Sequence, residues 1–119
     1  MSIGIIGDGV WGSALAKQLS QNNVTIFSKN KKTLKSINEH NFNPALKYAI
    51  FNDNVEATDN IENIVSKKII FIAIPAQSLR NLIDSHYFKD IQSHIIVASK
   101  GIEIESSLFL TEIVTKLSS

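Results

Sequence analysis

Short apolar runs alternate with amphipathic stretches along the chain, and this alternation predicts a regular succession of strands and helices. Ser2-Ile3-Gly4-Ile5-Ile6 reads as a first strand, and Val10 to Gln21 as a helix with Trp11, Leu15 and Leu19 on one face beside Ala14. Asn22-Asn23 supplies a turn before a second apolar strand, Val24-Thr25-Ile26-Phe27. The polar stretch Ser28 to Asn38 carries Leu34 and Ile37 and reads as a short helix, with Ser28 or Asn30 as its cap. Glu39 to Asn54 is irregular and reads as loop with room for a short helix, over a satellite cluster of Phe42, Tyr48 and Phe51. Val55-Glu56-Ala57-Thr58 reads as a minor strand, and Asp59 or Asn60 as the cap of a short helix through Ile64.

Lys68 to Ile74 is the strongest strand signal, because a parallel strand covered on both faces requires a continuous apolar run. Pro75 ends it. Gln77 to Tyr87 reads as a helix with Leu79, Leu82 and Ile83 inward, and His94 to Ala98 as a further buried strand. Ser106 to Leu117 has helical spacing, with Leu110, Ile113, Val114 and Leu117 as its stripe. Strands alternating with helices in this way predict an α/β fold, a doubly wound parallel sheet formed by one domain, residues 1–119. Ligands of such sheets sit at the carboxyl ends of the strands. Four places are therefore expected to converge: Gly7 to Gly12, Ser28-Lys29, Pro75-Ala76 and Ser99-Lys100.

The first of these carries the sharpest chemistry. Gly7-Asp8-Gly9-Val10-Trp11-Gly12 is a G-x-G-x-x-G set between a strand and a helix. In that setting Gly7 permits a tight turn, Gly9 lets backbone approach a pyrophosphate, and Gly12 lets the helix pack close to the strand. The first helical turn then points its N–H groups at the phosphates. Asp8 is awkward beside a pyrophosphate, so its side chain is expected to point away. The second strand ends in Phe27-Ser28-Lys29-Asn30-Lys31-Lys32, without the Asp or Glu that normally takes the ribose hydroxyls of NAD. A hydroxyl followed by cations suits a 2′-phosphate, so the expected cofactor is NADP(H) in preference to NAD(H). Lys29 is the main charge partner, assisted by Ser28, Lys31 or Lys32; a solvated helix start is the plainer alternative for these lysines.

Composition narrows the rest. A net charge of +1 advertises neither nucleic acid nor membrane, and no apolar run reaches the roughly 18 residues that span a bilayer. No cysteine is present, which removes disulfides and thiolate metal sites and fits a reducing, cytoplasmic setting. His40, His86 and His94 show neither metal-ligand nor triad spacing. Lysines number 11 against one arginine, a bias that lowers the weight of any single lysine.

Ile6 to Ala16, Ile74 to Gln77 with Arg80 following, and Ala98 to Glu103 resemble, in order and spacing, the amino-terminal half of bacterial-type NAD(P)-dependent glycerol-3-phosphate dehydrogenase. The resemblance implies a Rossmann-like domain without the family's helical substrate domain. It also implies reversible hydride transfer between NAD(P)H and dihydroxyacetone phosphate, giving glycerol 3-phosphate for phospholipid synthesis. Residue by residue, it implies that Trp11 contacts the cofactor, although packing of the helix start is compatible. Lys29 takes the place of the family's basic residue at the adenosine end. Val10 stands where many members have Ser and keeps only its backbone N–H. Pro75 either walls the cofactor cleft or simply ends its strand. Lys100 is implied to reach nicotinamide and substrate, where an ammonium would stabilise charge on the substrate oxygen or orient the phosphate. Asn43 to Ile50 matches the family's Tyr-Leu-Pro-like segment only loosely.

The family's general acid–base lysine lies in the helical domain and has no counterpart here, so the 119-residue chain alone is expected to be catalytically incomplete. Three readings stand: a part completed by a separate C-terminal domain chain, an inactive remnant, or a stand-alone NADP(H)-binding regulatory module. An apolar last helix left uncovered also points to self-association.

Overall fold

The computed structural model describes residues 2–74 and 93–97. Among them, five short strands lie in one sheet: β1 (Ser2–Ile6), β2 (Asn23–Phe27), β3 (Val55–Thr58), β4 (Ile69–Ile72) and β5 (His94–Val97). Every pairing is parallel and the order is β3-β2-β1-β4-β5, that of a doubly wound sheet. Helix α1 (Val10–Gln18) follows β1, α2 (Lys31–His40) follows β2, and the single turn α3 (Glu62–Val65) follows β3. The helices expected over 77–87 and 106–117 lie outside the described residues.

Central position explains the composition of β1. Side chains alternate between faces along a strand. Ile3 and Ile5 join Val24 and Ile26 of β2, Ala16 of α1, Ile37 of α2, Phe51 and Val55 in one buried cluster. Gly4 faces the other way, where a Cβ would lie 3.0 Å from the Ile64 side chain of α3. Both faces of β1 are thus covered, and each fully buried isoleucine contributes on the order of 1.5–3 kcal/mol.

Helix ends follow local side-chain chemistry. α1 stops at Gln18, earlier than the apolar spacing predicts, because Ser20 Oγ donates to Lys17 O and Asn22 Nδ2 to Leu19 O, closing the chain into turns. α2 starts at Lys31 because Asn30 Oδ1 accepts from the backbone N–H groups of Lys32 and Thr33, so Asn30 rather than Ser28 is its cap. It ends at Asn41, which takes the left-handed conformation (φ 63°).

Packing departs from expectation in three places. α1 turns Gly12, Ser13 and Ala16 fully inward; Leu15 and Leu19 are half-buried and pack against the core cluster, while Trp11 of the same stripe is 39% exposed. Small residues fill the contact where the helix comes closest to the sheet, and the two leucines pack beside it. The aromatic satellite does not form, since Phe51 joins the main core while Tyr48 is 98% exposed. β5 borders the described sheet, and its Ile96 is 43% exposed rather than buried.

Register sets the site. Ile6 pairs with Phe27 on one side and Ile72 on the other, and Phe27 pairs with Thr58. Gly7, Ser28 and Ala73 therefore leave their strands at one level along the carboxyl edge. The ladder runs on there, with Ala73 N–H donating to Ile6 O at 2.8 Å and Ser28 N–H to Thr58 O at 2.9 Å.

Candidate functional site

Three glycines shape the turn between β1 and α1, each differently. Gly7 has φ 144°, a conformation open to glycine, and a Cβ there would lie 2.4 Å from Ala73 O. A Cβ on Gly12 would lie 1.9 Å from Gly7 O, so the first turn of α1 rests directly on the turn backbone. Around Gly9, by contrast, a Cβ meets no atom of the described residues within 4 Å. Gly7 and Gly12 are thus required by the protein's own packing. Among the described residues Gly9 is not: its backbone is left uncovered at the start of a nine-residue helix.

That helix start has no side-chain cap; Gly9 is the capping residue and contributes only its carbonyl, to Ser13 N–H at 3.0 Å. The first-turn amides of an α-helix have no acceptor within the helix and carry the positive end of its dipole. An anionic group fits the space over Gly9, and the residues present suit the pyrophosphate of a dinucleotide. Val10 and Trp11 flank the opening at 57% and 39% exposure.

Beside the turn lies a polar network that sequence reasoning did not find. Ser28 Oγ donates to Asp8 Oδ2 at 2.5 Å and accepts from Asn30 N–H at 3.1 Å. Ser28 is buried, and its hydroxyl is engaged in both directions. The Asp8 carboxylate is thereby drawn onto the end of β2. Asn43, also buried, donates through Nδ2 to Asp8 O (2.5 Å) and Ser13 Oγ (2.8 Å), while its Oδ1 accepts from Ala45 N–H (3.0 Å). It binds the 3-10 turn Pro44–Leu46 to the glycine turn across more than thirty residues of sequence. The only sequence signal for it was an Asn before a Pro, a common start for a turn.

Lys29, Lys31 and Lys32 are exposed just beyond Ser28, at and before the start of α2. Gly7, Gly9, Val10, Trp11, Gly12, Ser28 and Lys29 therefore share one region of the carboxyl edge, where β1 and β2 end side by side. Pro75 and Lys100 lie outside the described residues. Among the described residues, no three His, Asp or Glu side chains are grouped as a metal site would need, and no helix is long and apolar enough to cross a membrane.

An all-parallel sheet of this order, with a glycine turn opening a helix at the carboxyl end of its central strand, defines a Rossmann-type dinucleotide-binding domain. Residues 2–118 match the family model of the N-terminal part of NAD-dependent glycerol-3-phosphate dehydrogenase, and the chain belongs to that family. It is 38% identical over 114 residues to the glycerol-3-phosphate dehydrogenase [NAD(P)+] of Neorickettsia sennetsu, covering 92% of this chain and 34% of that protein. Against the enzyme of the same name from Zymomonas mobilis it is 32% identical, covering 93% of this chain and 33% of that one. The chain thus spans about a third of the length of these relatives.

Solved structures agree on the fold. Glycerol-3-phosphate dehydrogenase from Saccharomyces cerevisiae superposes with a TM-score of 0.73 at 21% identity, over 95% of this chain and 39% of the other. Malate dehydrogenase from Plasmodium falciparum, in complex with NADH, gives 0.65 at 17% identity, over 99% and 40%.

Proposed function

We propose that this chain holds the NAD(P)(H) of a glycerol-3-phosphate dehydrogenase, and that the complete enzyme interconverts dihydroxyacetone phosphate and sn-glycerol 3-phosphate. The observation that carries this reading is the open space at Gly9, at the α1 start and on the carboxyl edge, within a chain of that family. When bound, the nicotinamide gives or accepts the hydride. In this reading Gly7, Gly9 and Gly12 shape the pyrophosphate cradle, Val10 offers its backbone, and Trp11 lies against the cofactor. Pro75 walls the cleft, and Lys100 steadies negative charge on the substrate oxygen or orients its phosphate. The substrate-binding remainder, on this polypeptide or on a separate chain, supplies the rest of the catalytic groups. Exposed Val10, Trp11, Tyr48 and Ile50 offer apolar surface for such a chain or for self-association. Family membership and an absence of cysteine support work in the cytoplasm, in the supply of phospholipid precursors.

A bulkier residue at Gly9 tests the cradle. Gly9→Val should weaken NADPH binding by roughly a hundredfold in calorimetry, by standing where the pyrophosphate approaches, while the thermal midpoint stays near wild type. Unchanged affinity would remove the site from this turn.

The finer cofactor choice proposed is NADP(H) over NAD(H), supported by the cations after β2 and the lack of an acid in Ser28-Lys29-Asn30. Lys29 is the principal partner of the 2′-phosphate. Lys29→Ala should lower NADPH affinity about tenfold and leave NADH affinity unchanged. Equal affinities of the wild-type chain for the two cofactors would refute the preference.

A further inference from the structure

Dinucleotide-binding sheets that use NAD place a carboxylate at the end of the second strand, where it accepts hydrogen bonds from the adenosine ribose. In this chain β2 ends in Phe27-Ser28-Lys29, and the strand itself brings no acid to that place. A carboxylate is nevertheless there. It comes from Asp8 in the glycine turn, twenty positions earlier, and Ser28 holds it at 2.5 Å.

The polarity of that contact is set by its neighbours. Asn30 N–H donates to Ser28 Oγ, so the hydroxyl hydrogen is turned to Asp8 Oδ2. Asn43 anchors the Asp8 backbone from the other side by donating to its carbonyl. One carboxylate oxygen is therefore engaged, and Oδ1 has no partner among the described residues. Asp8 as a whole is half-buried, so the residue keeps part of its surface open to ligand or solvent.

We propose that Asp8 is a specificity-determining residue: its carboxylate, held by Ser28 at the end of β2, accepts the ribose 2′-hydroxyl of NAD(H) and opposes the 2′-phosphate of NADP(H). It acts against the exposed Lys29, Lys31 and Lys32 beyond the same strand end. Cations attract the extra phosphate; the fixed anion repels it and rewards the free hydroxyl. The preference for NADP(H) proposed above is thus narrowed, and the chain accepts both cofactors. This rests on the reading that the glycine turn binds NAD(P)(H).

The test is Asp8→Asn in the 119-residue chain, which keeps an acceptor for Ser28 and removes the charge. NADH, NADPH, 5′-AMP and 2′,5′-ADP are titrated by calorimetry into wild type and variant. The variant should bind NADPH and 2′,5′-ADP about tenfold more tightly and NADH about tenfold more weakly. A purely structural role for Asp8 would weaken all four together, and that result, or an unchanged ratio of NADPH to NADH affinity, overturns the proposal. A wild-type chain that binds none of the four overturns the cofactor reading itself, and this inference with it. Should the variant fail to fold, the wild-type chain decides the matter with 2′-deoxy-NADH. About tenfold weaker binding than NADH upholds the contact, and equal binding overturns it.

Discussion

Gly12→Ala is expected to destabilise the chain by about 3 kcal/mol or more and to abolish measurable NADPH binding. The added Cβ would lie 1.9 Å from Gly7 O and 2.7 Å from the Gly7 carbonyl carbon. Both are backbone atoms, so no side-chain rotation relieves the clash. Gly7 cannot retreat either, because it is hemmed in from β4: its own Cβ position lies 2.4 Å from Ala73 O. The remaining response is for α1 to lift away from the end of β1, which opens the core at Ala16 and moves the first-turn amides off their aim. Alanine's better helix propensity, about 1 kcal/mol over glycine, is too small to compensate. Chemical denaturation followed by circular dichroism measures the loss. A variant as stable as wild type would mean that α1 adjusts freely on the turn, against the close packing described.

Asn43→Ala is expected to cost about 2–4 kcal/mol, large for a residue in an irregular loop. Three contacts vanish together: those to Asp8 O, Ser13 Oγ and Ala45 N–H. Ser13 is fully buried, so its hydroxyl loses a partner that water does not readily replace. Asn43→Asp should be at least as damaging. It would set an acceptor against the Asp8 carbonyl and bury a charge beside it. Denaturation midpoints in the order wild type, then Asn43→Ala, with Asn43→Asp no higher, are the expected result. An Asn43→Asp chain as stable as wild type would show that the donated hydrogen bonds do not hold the turn. NADPH affinity should fall several-fold in either variant, since the glycine turn loses its support from the loop.

Much of this architecture was legible because it is local. Apolar continuity marks β1, β2 and β4 within a residue or two at most edges, for interior strands of a parallel sheet are written as apolar runs, while β3, Val-Glu-Ala-Thr at the border of the described sheet, shows only alternation. Asn30 could be named as a cap because an Asn side chain competes for helix-start amides wherever it stands. The inward face of α1 was legible only in part, through Leu15 and Leu19. Leucines and a tryptophan four apart outweigh glycine, serine and alanine in any count of hydrophobicity, yet the distance between helix and sheet decides which residues fit. Tyr48 and Phe51 were likewise separated by packing: one reaches the core under the sheet and the other leaves the surface.

By itself, then, the sequence determined the order of elements, the glycine turn at the carboxyl end of β1, and, through its motif blocks, the family. Those are properties of neighbouring residues, and neighbours are what a sequence records. Only the tertiary structure decided how close that packing is: a Cβ on Gly7 or Gly12 would lie 2.4 or 1.9 Å from a backbone oxygen, whereas one on Gly9 meets no atom of the described residues within 4 Å. It also carried the Asp8 carboxylate to a strand end that has no acid of its own, and seated Asn43 beneath both. Contacts across twenty to thirty-five residues depend on strand register and helix approach, which fix positions in space that no local pattern encodes.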